Sequence, residues 1–303
     1  MLKKYSLSIF LVLILSFVLL TSVISAEEVA PLNNRVTSYM ARVMETTAVE
    51  LVQEAKLHYA EKRIKGTEYE GLPLVSQMAP QKAGRKDDGG PEFYIDIDSG
   101  NITEEDLVSL NFFGDDIAYL KLNGEELKEW MEAGMENFNQ INPDKSEDQF
   151  LVDEDYVDYN FDIFEGINYV VDVTKPAGER IVEATHDGEP ITKDDEFVVV
   201  TNQYRSTGGG DFPNAVKENK ILSTKEEDRK SVREAIADYL NENNGEAPEP
   251  DYNWSLAPVD TEGQILFRSS PDAKDIVDNF EHIGQVGEYS GWGIYSYDLS
   301  WTP

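Results

Sequence analysis

A layered α+β domain is the fold class that this sequence predicts, and three observations carry it. Two β-branched runs, 168–173 and 196–201, read as buried strands. Two stretches, one starting at Thr47 and one over 224–241, repeat apolar residues at helical spacing. Strands and helices follow one another without a strict βαβ rhythm, which sets aside a Rossmann sheet or a barrel.

The elements follow in chain order. Residues 33–39 read as an irregular lead. From Thr47, the residues Ala48, Leu51, Val52, Ala55 and Tyr59 fall on one helical face, and Gly66 supplies the stop. Pro80, Gly84, Gly89, Gly90 and Pro91 make 79–98 a loop. Thr103 with Asp106 three residues on forms a capping box for a short helix over Leu107 and Val108. The alternation of 117–122 predicts a strand that Gly124 breaks, and Leu127, Trp130, Met131 and Gly134 mark the next helix face. The polar, acidic stretch 140–158 reads as an exposed excursion. The helix over 224–241 turns Val232, Ala235, Ile236, Tyr239 and Leu240 to one side; 248–258 reads as loop, and the chain ends among Trp292, Tyr295, Tyr297 and Trp301. No repeat is visible.

Composition narrows the function classes. The 303 residues include 59 acidic and 26 basic side chains, a formal charge of -33, so nucleic-acid polymers and anionic membrane surfaces are repelled. The acids are spread along the chain, which argues for a solvated surface more than for an acidic tail. The absence of cysteine removes disulfide frameworks, thiolate zinc sites and cysteine nucleophiles. Lys3 and Lys4, then an apolar run from Ile9 to Leu20, then small residues up to Ala26, have the order of a secretory signal peptide over 1–26. An uncleaved anchor is the alternative. Either way the remainder is expected to be secreted or at the cell surface.

Chemistry-bearing motifs are few. His58, His186 and His282 are scattered, and none falls in a metal-ligand pattern, so no metal ligands and no catalytic residues are assigned. Asp96 to Gly100 imitates a calcium loop, but its glycine comes fifth and Leu107 stands twelfth, where an acid is required. No G-x-S-x-G elbow exists, and the Gly208-Gly209-Gly210 run lacks the lysine of a phosphate loop. Paired carboxylates say nothing when 59 acids guarantee accidental pairs. One context stands out: the strand of 198–202 runs into Tyr204 and then a glycine turn. Tyr204 beside backbone without side chains suits a flat ring stacking on the phenol. A core tyrosine at a tight turn is the competing reading.

Several motifs then fall into a recognisable order. Tyr159-Asn160-Phe161-Asp162-Ile163-Phe164-Glu165-Gly166, Val171-Asp172-Val173-Thr174 and the 201–210 stretch resemble the C-terminal domain of 5'-nucleotidases, specifically the bacterial 2',3'-cyclic-nucleotide 2'-phosphodiesterase/3'-nucleotidase branch. Supporting segments are Ala79 to Arg85, Gly90-Pro91 with Tyr94, Phe138 to Ile141, Asn253 to Pro258 and Phe267 to Pro271. The resemblance spans roughly Thr37 to Leu299. It implies an α/β/β/α layered domain over 27–303, with a core at about 37–213 and a C-terminal extension at 214–303.

In that family an N-terminal metallophosphoesterase domain holds two divalent metals and the catalytic histidine, and this chain resembles only the partner domain that recognises the nucleotide. The resemblance therefore implies a nucleoside or nucleotide ligand, no cofactor in this chain, and a metallophosphoesterase chain as possible partner. The base would stack between Phe113 and Tyr204, with Phe112 in the core. Arg85 and Lys82 would contact base or phosphate, and Gly208, Gly209 and Asp211 would complete the nucleotide site. Two departures stand against this transfer: Gln81 occupies a place where the branch carries phenylalanine, and Lys86-Asp87-Asp88 is inserted in the same loop. The expected function is extracellular nucleotide recognition in nucleotide breakdown. The alternative is a non-catalytic nucleoside-binding protein, or a remnant of a split gene.

Overall fold

The sheet at the centre of the molecule is built around its most β-branched segment. In the computed structural model, which describes residues 28–85, 89–222 and 229–302, the strand Glu196–Asn202 is the middle member of five. It pairs antiparallel along its whole length with Ile117–Asn123, and parallel with Leu74–Met78. Lys220–Ile221 and Ile163–Glu165 complete the two sides. Val198, Val199 and Val200 are fully buried, as a strand covered on both faces requires.

The pairing has a consequence for position. Because Leu74–Met78 and Glu196–Asn202 run parallel, Met78 and Asn202 leave the sheet at the same edge. At that edge the two antiparallel neighbours begin, Ile117 opposite Asn202 and Ile163 opposite Met78. Four loops therefore meet there: those after Met78 and Asn202, and those before Ile117 and Ile163.

Helix α1 (Thr47–Ile64) packs on this sheet and α4 (Val232–Glu242) packs on α1. The sequence predicts an apolar stripe on α1, but its first half is enclosed all round: Val49, Glu50, Gln53 and Lys56 are buried together with Ala48, Leu51 and Val52. It ends at Gly66, whose φ of 76° is left-handed. Helix α2 (Glu104–Leu110) opens on the predicted Thr103–Asp106 capping box. Helix α3 (Gly124–Gly134) contacts both the central sheet and the four-stranded sheet formed by Glu189–Pro190, Ile181–His186, Asn168–Val171 and Trp254–Leu256. A second four-stranded sheet joins Ile283–Tyr289, Trp292–Tyr297, Ile265–Ser269 and Gln149–Phe150. The α+β class holds.

Several local readings change. Leu74–Met78 is a strand that the sequence reading leaves unassigned. The strand ends directly before Gly124 as expected, and Gly124 is also the first residue of α3, because Asn123 caps the amides of Glu125 and Glu126. Residues 140–158 are an exposed excursion only in part: 144–148 are exposed, but Ile141, Leu151, Val152 and Asp158 are buried, and Gln149–Phe150 pairs with Ile265–Ser269. The 248–258 loop contains the strand Trp254–Leu256, and the lead at 33–39 contains Val36–Thr37, paired with Asp96–Ile97. Asn168–Val171 buries alternate residues only. Helix α4 starts at Val232 because Ser231 forms a capping box with Glu234. The proposed signal at 1–26, the insert at 86–88 and the proposed helix start at 224–228 lie outside the described residues. Among those described, no helix is long and apolar enough to cross a membrane.

Acidic residues are not confined to the surface. Carboxylate oxygens of Glu45, Glu50 and Asp251 lie within 4.8 Å of one another, and Glu45 accepts the Tyr252 and Trp254 amides at 2.6 and 3.3 Å. Burial, and then the neighbouring carboxylates, push Glu50 up to about 9, Glu45 to about 8 and Glu165 to about 7. Burial also lowers Lys56 to about 7. Raised carboxyls hold protons in the folded chain that the unfolded chain has already lost, so their contribution is complete below the unfolded value near 4.5 and declines as pH rises through the folded one. In metal-free buffer, urea unfolding should show stability falling between about pH 5 and about pH 6.5, before Lys56 titrates, and Glu50→Gln should remove on the order of 1 kcal/mol per pH unit of that slope. An unchanged slope in the variant would refute the assignment.

Candidate functional site

Where the four loops meet they enclose a cavity of about 410 Å³. Each loop contributes, with two strand ends: Gln77 of the strand and Ala79, Gln81 and Arg85 of the first loop, Phe113 and Asp115 from the second, Tyr159 and Asp162 from the third, and Asn202 of the strand with Tyr204 and Arg205 of the fourth. A larger groove of about 610 Å³ is lined by Glu125, Glu129, Glu132 and Glu136 with two lysines and no aromatic ring, so it offers nothing for a ring to stack on.

Tyr204 stands where the central strand gives way to a single 3-10 turn, Arg205–Thr207, closed by Gly208 at φ 94°. Its ring lies on the glycine backbone: a Cβ at Gly209 would sit 2.5 Å from the ring, so only glycine admits this packing. The ring remains 54% exposed. Directly after it, Arg205 turns inward and binds Asp162 with two hydrogen bonds of 2.9 Å, both groups being buried. The same guanidinium donates to the carbonyls of Gly209 at 3.0 Å and Tyr159 at 2.5 Å, and the Trp130 indole donates to Asp162 at 2.8 Å.

The opposite wall is aromatic. Phe93, Phe112, Phe113 and Tyr159 form an edge-to-face series with centroid separations of 5.5, 5.4 and 5.8 Å. The Arg85 guanidinium lies 4.7 Å from the Phe93 ring, 5.0 Å from Tyr159 and 5.7 Å from Phe113. It pairs with the buried Asp158 at 2.9 Å and donates to the Gln81 carbonyl at 2.8 Å. Asp158 also accepts the amides of Ala83 and Tyr159, which ties two loops together. Gln81 accepts the Phe113 amide at 3.2 Å with its side chain. The residue that departs from the branch pattern thus helps to hold the turn carrying Phe113.

The structure brings Phe113, Tyr204 and Arg85 to one cavity. Lys82 does not line it, and its Nζ donates to Ser109 at 3.3 Å. Asp211, at φ 57°, is exposed outside the lining, and Gly208 and Gly209 act through the turn and the Tyr204 ring. Phe112 is not a core residue: it is 40% exposed, because its turn projects beyond the end of α2 and the ring packs on one side, against Phe93, Phe113 and the Arg85 guanidinium. The sequence reading assigns no role to Gln77, Asp115, Tyr159, Asp162, Asn202 or Arg205. Asp115 is held above the usual carboxylate range by burial and then by Asp116. The motif around Tyr159 and Asp162 was a signal for those two; Arg205 had none beyond its place next to Tyr204.

The cavity does not fit a metal pair. Asp162 is bound by Arg205 and Trp130, and Asp115 is a single carboxylate. His58 pairs with Glu242, His282 stacks on Trp301, and neither these nor His186 reach the lining.

Residues 23–218 match the family described as 5'-nucleotidase, C-terminal domain. The chain is 36% identical over 274 residues to the trifunctional nucleotide phosphoesterase protein YfkN of Bacillus subtilis, covering 86% of this chain and 18% of that protein. It is 33% identical over 289 residues to the 2',3'-cyclic-nucleotide 2'-phosphodiesterase/3'-nucleotidase of Haemophilus influenzae, covering 87% of this chain and 43% of that enzyme. It thus spans less than half the length of either relative. The crystal structure of a 5'-nucleotidase precursor from Thermus thermophilus shares the fold, with a TM-score of 0.56 at 19% identity over 76% of this chain and 39% of that one. A central sheet whose loops gather aromatic and charged groups at one edge, and a match over most of the chain, lead to one conclusion: the chain belongs to the 5'-nucleotidase C-terminal domain family of nucleotide hydrolases.

Proposed function

We propose that this chain is an extracellular nucleotide-recognition domain that serves nucleotide breakdown together with a metallophosphoesterase domain on another polypeptide. The observation that carries the reading is the cavity: two exposed aromatic rings, Phe113 and Tyr204, come from loops 91 residues apart in sequence and line one space of about 410 Å³. That volume lies in the range of small-molecule sites, and exposed rings at its mouth suit a planar base. Stacking on such rings contributes ~1 to 3 kcal/mol per base and tolerates different bases. Asp115 and the cavity edge of Asn202 offer polar contacts, and Arg85 presents positive charge behind the aromatic wall. The hydrolytic metals belong to the second domain in this reading, which also draws on the family and on the phosphoesterase relatives.

Two measurements test it. Calorimetric titration of the chain with adenosine and with 3'-AMP should give saturable binding, which Tyr204→Ala and Phe113→Ala each weaken by ~1 to 3 kcal/mol while the urea midpoint stays put. Unchanged affinity in both variants would remove the stacking role. Following phosphate release from 3'-AMP after addition of manganese should give none; turnover by this chain alone would contradict the need for a second domain. Binding without any productive metallophosphoesterase partner would favour a nucleoside-capturing protein.

A further inference from the structure

The match to the family ends at residue 218, yet side chains beyond it hold two of the three loops that form the aromatic wall. Arg233, in the first turn of α4, donates from Nε and a terminal nitrogen to the Asn111 carbonyl at 2.9 and 2.8 Å, and to the Phe112 carbonyl at 3.0 Å. These are the two peptide groups directly before Phe113. Gly114, at φ 71°, folds the turn over the guanidinium so closely that a Cβ would lie 3.0 Å from it. The segment before α4 reinforces this contact, since the amides of Ile117 and Val232 donate to the carbonyls of Lys230 and Asp115 at 2.9 and 3.0 Å.

Trp292 does the corresponding work on the other loop. It opens the last strand, Trp292–Tyr297, and its indole presses on Gly84, where a Cβ would lie 2.9 Å from the ring and would also run into the Tyr94 phenol. Gly84 precedes Arg85, and its amide donates to the Phe93 carbonyl at 2.9 Å, which closes the loop at its base. Neither Arg233 nor Trp292 lines the cavity.

We infer that residues 229–302 form a specificity-determining part of the base site, in which Arg233 and Trp292 are positioning residues that fix Phe113 and Arg85 without touching the ligand. This rests on the reading of the cavity as a nucleotide site. Each side chain restrains a turn of the wall, so loss of the restraint widens the range of ring positions and lowers the fraction suited to stacking.

A double-mutant cycle provides the test, with Arg233→Met and Phe113→Ala alone and combined, titrated with adenosine, and Arg233→Lys and Trp292→Phe as conservative companions. Arg233→Met should weaken adenosine binding about fivefold in the parent and have almost no effect once Phe113 is alanine. Lysine at 233 should restore part of the loss, and Trp292→Phe should bind better than Trp292→Ala. Equal losses in both Phe113 backgrounds, or no loss in either, would overturn the positioning role. Amide hydrogen exchange without ligand separates this claim from the nucleotide reading. Arg233→Met should speed exchange at Phe113, and Trp292→Ala at Gly84, by about tenfold or more, with the exchange of the central strand Glu196–Asn202 unchanged. Unaltered exchange at those amides would overturn the inference even if adenosine binds; faster exchange in a chain that ignores adenosine would overturn the nucleotide reading and leave the restraint established.

Discussion

The buried pair of Arg205 and Asp162 is the constraint on which the rest of the site depends. It sits between the end of the central strand, the glycine turn and the segment entering Ile163–Glu165, and it reaches α3 through Trp130. Buried ions tolerate little freedom, since removing either partner strands the other charge at ~3 to 5 kcal/mol. With Arg205 fixed, Tyr204 has few orientations left, and Gly209 settles which one it takes. The ring is therefore exposed and rigid at once. An aromatic placed this way contributes contact area with little loss of freedom on association.

A second pair, Arg85 and Asp158, performs a similar role on the facing wall, with a difference in kind. Both guanidiniums lie against rings, Arg205 at 4.4 Å from Phe212, but Arg205 is bound by oxygens of four residues (Asp162, Gly209, Tyr159 and Asn160), whereas Arg85 is faced by four rings and bound by oxygens of Asp158 and Gln81. Its charge is neutralised by Asp158 on one side and spread against ring quadrupoles on the other, which lets a cation stand beneath a stacking surface without a water shell. The wall is thus polar beneath and aromatic in front. Such a surface favours a flat, polarisable ring over an aliphatic one.

What the sequence made legible is what is local. The Thr103–Asp106 box, the glycine stop after α1 and the strand running into Tyr204 each depend on residues within a few positions, and each reads correctly. Phe113 came from resemblance, since nothing around 110–115 distinguishes one phenylalanine from the next until the turn is folded. Asp158 and Asp162 were hidden among 59 acids, because what sets them apart is a partner 73 or 43 residues away. Leu74–Met78 escaped because it is short and carries the polar Ser76 and Gln77, of which Gln77 becomes acceptable where Thr201 of the neighbouring strand donates to it. Trp254–Leu256 escaped because three residues between prolines give no periodicity. The enclosed acids Glu45 and Glu50 ran against expectation for the same reason as the ion pairs: burial is a property of the whole chain.

The turn that carries Phe113 is hydrogen-bonded through its main chain, its carbonyls bound by Arg233 and its amide by Gln81. These hydrogen bonds therefore do not depend on the identities of the side chains at 112 and 113, whose rings add packing against Phe93, Tyr159 and Arg85. Holding and touching are assigned to different atoms, so the ring offered to a ligand is interchangeable with another of different size or polarity while the frame around it stays as it is. A site organised in this way can change what it prefers one side chain at a time.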